Sequence, residues 1–67
     1  MIGKVGRVTG RIGPGLVGEI MVAVRGGVEA FYAHPADSAD TIETGTQVLI
    51  VEFHPPRTAY VERWSPM

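Results

Sequence analysis

No stretch of this chain spaces its apolar residues as one face of a helix would. Short runs rich in valine and isoleucine alternate with period two instead, and nine glycines and five prolines punctuate them. That texture restricts the chain to an all-β fold of short strands joined by turns. The first run covers about residues 3–12 and sets Val8 and Ile12 in phase. Gly6 and Gly10 share the phase, as expected for a strand bent hard or closely approached by another backbone. Gly13-Pro14-Gly15 ends it, because only a turn accommodates that tripeptide. The second run, 17–25, places Ile20, Val22 and Val24 on one face and Glu19, Met21, Ala23 and Arg25 on the other.

Gly26-Gly27 separates this run from a third at 28–33. Two glycines between alternating segments mark a hairpin, since both tolerate positive φ. The stretch 34–44 reads as a loop, rich in turn formers, with room for a single helical turn capped by Asp37 or Ser38. Ile42 is expected to plug the bottom of the core. After Gly45 a fourth strand over 46–53 turns Val48 and Ile50 one way and Leu49, Val51 and Phe53 the other. A strand apolar on both faces is central or has its outer face covered. His54-Pro55-Pro56-Arg57 forms the next turn. The last strand, 58–64, alternates Ala59, Val61 and Arg63 with Thr58, Tyr60, Glu62 and Trp64.

Size sharpens the architecture. At 67 residues the chain is one domain, 1–67, near the limit at which a single core suffices. It has no cysteine, so neither a disulfide nor a thiolate metal cage can staple it. Closing five strands into a Greek-key barrel removes the sheet edges and lets so short a chain surround one core. An OB-fold without substantial helix matches best, and an SH3-like barrel is the alternative. A hydrophobic content of 45% with 19% charged residues argues against disorder. No apolar run reaches the ~18 residues that span a bilayer, and no signal-peptide pattern opens the chain.

The formal charge of −1 hides a gradient. Residues 1–28 carry Lys4, Arg7, Arg11 and Arg25 against Glu19, a balance of +3; residues 29–67 carry Arg57 and Arg63 against six carboxylates, a balance of −4. Either the two halves neutralise each other in the folded barrel, or the first half offers a basic strip to an acidic partner or to anionic headgroups.

Catalytic groupings are missing. The two serines, Ser38 and Ser65, lie in a polar loop and near the C-terminus, outside any Gly-x-Ser-x-Gly setting. His34 and His54 could join Asp37 or Glu52 around a metal, but each stands beside a proline at a strand end, the usual place of a partly exposed turn histidine. The carboxylates are scattered, with no spacing that converges two of them. Gly10-x-x-Gly13-x-Gly15 resembles a phosphate loop only superficially, since a β-alternating run follows it rather than a helix. Single-stranded oligonucleotide binding, common among such barrels, needs outward aromatics interleaved with cations on strands two and three. Phe31 and Tyr32 point opposite ways there, and Arg25 is the lone cation.

The order and spacing of the elements resemble a known family. Gly3-Lys4-x-Gly6-x-Val8, Gly-Pro-Gly at 13–15, Gly18-x-Ile20-x-Val22, Ala30, Ile42-x-x-Gly45-x-x-Val48-x-Ile50-Val51 and Tyr60-Val61 are similar to the C-terminal soluble domain of NfeD-like membrane proteins. The likeness runs from about Ile2 to Arg63. It implies a five-stranded OB-type barrel lacking the helix usual between strands three and four. It also implies a non-enzymatic interaction module, without cofactor or metal, that partners a stomatin- or flotillin-type membrane scaffold. The protease domain of longer relatives has no counterpart here. Membrane attachment is expected only through helices absent from this chain or through the partner, with the cytoplasmic side favoured. The partner surface is assigned to the outward aromatics and the turn beside them, Tyr32, His54, Arg57, Tyr60 and Trp64, because exposed rings beside an arginine dominate protein interfaces. Single-stranded nucleic acid is the alternative ligand.

Overall fold

The computed structural model describes residues 1–65. Five strands form, β1 (Val5–Gly10), β2 (Gly18–Val24), β3 (Gly27–Pro35), β4 (Gln47–His54) and β5 (Thr58–Arg63), and no helix occurs among the described residues. They close into a barrel in the order β1-β2-β3-β5-β4, with β1 paired back onto β4. Every pairing is antiparallel except β3 with β5. The fold is the expected small OB-type barrel.

Alternation builds the core. Val8, Ile20, Val22, Val48, Ile50 and Val61 point inward and are at most 1% exposed, with Phe31, Ala33 and Ala59 filling the gaps between them. Ile42 is fully buried, as expected of a plug, and exchanges two main-chain hydrogen bonds with Ile12 (3.0 and 2.8 Å). That bridge seals the barrel end between the two long loops. Beside it, the Asp37 carboxylate accepts from the Ala39 N–H at 3.0 Å and its carbonyl from Asp40 N–H at 2.9 Å. The segment is therefore a turn closed by Asp37, the helical turn being replaced by local side-chain-to-backbone bonding.

Two bulges depart from strict alternation. In β4 the register passes from Ile50↔Val61 to Glu52↔Tyr60, leaving Val51 as an extra residue. The phase of the strand flips there. Phe53 consequently pairs opposite Ala59 and packs on the core, edge-on to Phe31 at 5.9 Å between ring centroids. The sequence placed Phe53 on the same face as Leu49 and Val51; the bulge moves it inward. In β1 a second shift falls between Val8 and Gly10. The Gly6 backbone lies close to β2, where a Cβ would stand 3.0 Å from a Val22 methyl, as its phase implied. The β2–β3 turn is Arg25–Gly26 rather than Gly26–Gly27: Gly26 alone of that pair takes positive φ (79°), and Gly27 already pairs with Val24.

Candidate functional site

The parallel β3–β5 pairing creates the outer wall of most interest. It sets His34 opposite Tyr60 and Tyr32 opposite Thr58, bringing together residues from distant parts of the chain. Tyr32 and His34 alternate with buried Phe31 and Ala33, so they face outward, and Tyr60 alternates with buried Ala59 and Val61. The Tyr60 ring lies 5.4 Å from that of His34 and 5.2 Å from that of His54, between centroids. An aromatic row thus crosses β3, β5 and β4. His54 is fixed by a hydrogen bond to the Glu52 carboxylate. The two imidazoles are held apart by the tyrosine ring, and no group of three or more His, Asp or Glu side chains converges among the described residues.

Beside Tyr60 and His34 the wall sinks into an open apolar groove of 510 Å³. The 13–17 loop, with Pro14, Leu16 and Val17, forms one bank, and Pro35 and Ser38 complete the floor and far side. Leu16 is 43% and Val17 69% exposed. Val17 was expected to begin β2, but that strand starts at Gly18, which frees Val17 to line the groove. Sequence reasoning missed Leu16 and Val17 as site residues. The available signal was two consecutive large aliphatics directly after a Gly-Pro-Gly turn, where alternation has not yet begun.

Arg57 and Tyr32 come together at a second, smaller cleft of 380 Å³. Tyr32 N–H donates to the Arg57 carbonyl (2.8 Å), and Arg57 Nη1 donates to Ala30 O (2.9 Å). The same guanidinium pairs with Glu29 at 3.3 Å and lies 5.5 Å over the Phe31 ring. The guanidinium is therefore held by three groups of the protein itself. Trp64 stands apart from both clefts: it is half-buried past the end of β5, its N–H bonded to Gln47 O at 3.0 Å. It lies four steps along the chain from Tyr60, about 13 Å at ~3.3 Å per residue.

On the face where oligonucleotide bases would stack, Tyr32 is the outward aromatic and its cross-strand neighbour is Glu19. A carboxylate in that position repels a phosphate backbone, and the nearby Arg57 is already engaged by Glu29.

Comparison with known proteins agrees with this architecture. Curated proteins returned no match. Among solved structures, the soluble domain of the NfeD protein YuaF from Bacillus subtilis superposes with a TM-score of 0.80 at 26% identity, covering 97% of this chain and 75% of that one. The soluble domain of a Corynebacterium glutamicum membrane protein implicated in regulation of membrane protease activity shares the fold, with a TM-score of 0.77 at 21% identity over 92% and 89% of the two chains. The family model of the NfeD C-terminal domain matches residues 5–62, nearly the whole barrel, and the chain belongs to that family.

Proposed function

We propose that this barrel is a non-enzymatic docking module of an NfeD-type membrane protein, and that its partner is a membrane scaffold of the stomatin or flotillin type. The observation that carries the reading is the groove bounded by Leu16, Val17, His34 and Tyr60, a concavity in which the adjacent aliphatics Leu16 and Val17 stay exposed beside aromatic rings. An apolar concavity ringed by aromatic and proline side chains has the composition of a protein-contact centre. Tyr32, His54 and Arg57 lie outside the groove on the same β3–β5–β4 wall and extend the proposed contact surface, with Trp64 at the far end of β5 as its most distant member. The domain is placed next to a membrane, on its cytoplasmic side, by segments outside this chain or by the scaffold. The description of the Corynebacterium relative as part of membrane-protease regulation is consistent with an adapter role.

The test is direct binding of the purified chain to a purified stomatin-type scaffold from the same cell, by calorimetry or surface plasmon resonance. Tyr60→Ala and Leu16→Ser are expected to weaken binding at least ten-fold, about 1.4 kcal/mol. Arg11→Gln, whose side chain pairs with Glu43 and lines neither cleft, is expected to change it little. Failure to bind, or equal affinity for all three variants, refutes the assignment.

A further inference from the structure

Folding consumes only part of the basic half of the sequence. Arg11, Arg57 and Arg63 pair with Glu43, Glu29 and Asp40, whereas Lys4, Arg7 and Arg25 pair with no carboxylate among the described residues. Mutual neutralisation of the two halves is therefore confined to a single ion pair, Arg11–Glu43.

The strand register gathers the three remaining cations. Arg7 lies opposite Met21 across β1–β2, Met21 lies opposite Ala30 across β2–β3, and Ala23 lies opposite Val28 two positions on. Arg7, Met21 and Ala23 alternate with buried residues and so point outward. Lys4, exposed immediately before β1, shares the alternation of Gly6 and Val8 and so stands at the barrel end beside the Arg25–Gly26 turn rather than on the outer face of Arg7. Met21 and Val28 (61%) are exposed on that face, and Ile2 (67%) is exposed on the segment that leads into Lys4. Of the neighbouring carboxylates, Glu29 is paired with Arg57, and Glu19 lies toward the start of β2, away from Arg25, where it accepts from the Thr9 hydroxyl at 2.8 Å.

We infer that this β1–β2–β3 wall docks onto an anionic lipid bilayer. Lys4, Arg7 and Arg25 meet the phosphate and carboxylate headgroups, and Ile2, Met21 and Val28 dip between them. Neither cleft described above is lined by any of the six side chains, and the exposed ring nearest the wall, Tyr32, faces Glu19 across β2–β3 rather than a cation. A protein partner would be expected to find a pocket or an aromatic anchor. Long cations interspersed with single aliphatics on a convex wall suit a deformable, negatively charged surface instead. The inference rests on the membrane-proximal setting proposed above, but not on the groove or its scaffold partner.

The experiment is an NMR titration of the isotopically labelled chain with phosphatidylserine–phosphatidylcholine vesicles at low ionic strength. Amide signals of Lys4, Arg7, Met21, Arg25 and Val28 are expected to attenuate before those of Leu16, His34 and Tyr60, and to recover as salt is added. Substituting Lys4→Gln, Arg7→Gln and Arg25→Gln together is expected to lower vesicle partitioning roughly a hundred-fold, at about five-fold per cation near an anionic surface. The three sites are exposed and unpaired, so an unchanged spectrum without lipid shows that the variant is folded. Tyr60→Ala is expected to partition like the unaltered chain even where scaffold binding fails, which separates the two proposals. No attenuation, equal attenuation by pure phosphatidylcholine, or undiminished partitioning of the triple variant overturns the inference. So does a response of the same residues to an acidic peptide but not to vesicles, which assigns the wall to a protein.

Discussion

A single methyl group added at Gly18 probes how tightly the barrel closes. Gly18 opens β2 opposite Ala33, and its φ is not positive, so alanine meets no backbone strain there. The space is what forbids it. A Cβ at that position would overlap the Ile12 side chain and lie 2.9 Å from Gly10 O and 3.0 Å from Arg11 O. Ile12 cannot retreat, being fully buried and held at both main-chain groups by Ile42, and the two oxygens belong to the backbone. Overpacking costs roughly 1–3 kcal/mol, and with backbone on two sides the upper end applies, about 3 kcal/mol. At ~0.05–0.15 kcal/mol per residue a domain of this size holds only about 3–10 kcal/mol in total. Gly18→Ala is therefore expected to lower the melting temperature by roughly 12–24 °C. Gly27 supplies the control: it too lacks positive φ, and nothing lies within 4 Å of its added Cβ. Gly27→Ala is expected to stabilise by about 0.4–1 kcal/mol through the unfolded chain. Urea unfolding followed by circular dichroism measures both. Equal midpoints for the two variants would refute the close approach of β2 to the 10–12 segment.

Phe53→Ala is expected to cost about 2–3 kcal/mol, because the β4 bulge turns that ring onto Phe31, whereas Val51→Ser at the bulge itself should cost under ~1 kcal/mol. The reverse order in urea midpoints would return Phe53 to the outer wall. Arg63 reaches both Asp40 carboxylate oxygens (2.9 and 2.7 Å) and the Thr41 carbonyl, tying β5 to the 36–46 loop. With the arginine side chain 54% exposed, a double-mutant cycle of Arg63→Ala and Asp40→Asn is expected to give a coupling of about 0.5–1 kcal/mol that shrinks with added salt. A coupling of zero would show that the pair does not hold the loop.

The core was legible in the sequence because burial on a strand repeats every second residue. Ile20, Val22, Val48, Ile50 and Val61 could each be assigned from local phase alone, and all five are buried. Phe53 could not. A bulge adds one residue to one strand without altering the alternation of residue types, so Leu49, Val51 and Phe53 read as one face until the pairing with β5 is known. The turn at Arg25–Gly26 was misjudged by one residue for a related reason: two adjacent glycines permit positive φ at either, and the cross-strand register selects one. The groove was hidden more deeply. His34 and Tyr60 are 26 positions apart and meet only through the parallel β3–β5 pairing, a contact that no local pattern encodes. Tyr60, His54, Tyr32 and Arg57 were nevertheless accessible as candidates, since outward aromatics and an arginine at a turn are recognisable without knowing their neighbours.

Closure of the barrel explains both how so short a chain holds together and where its recognition surfaces must lie. Pairing β1 with β4 completes the ring of strands, so the barrel does not depend on a staple to bury its centre. The same closure fills the interior with isoleucine and valine, packed to near-zero exposure. Recognition is forced onto the outward half of each strand and onto the loops. Those positions divide into two sectors: the β3–β5 wall with its apolar groove beside Tyr60, and the β1–β2–β3 wall with its adjoining end, where Lys4, Arg7 and Arg25 have no carboxylate partner among the described residues. Because no side chain of the groove is shared with the basic wall, the two can be occupied at once. If both proposals hold, binding of one ligand is expected to leave the affinity for the other unchanged, and competition between vesicles and scaffold would show that the two sectors overlap.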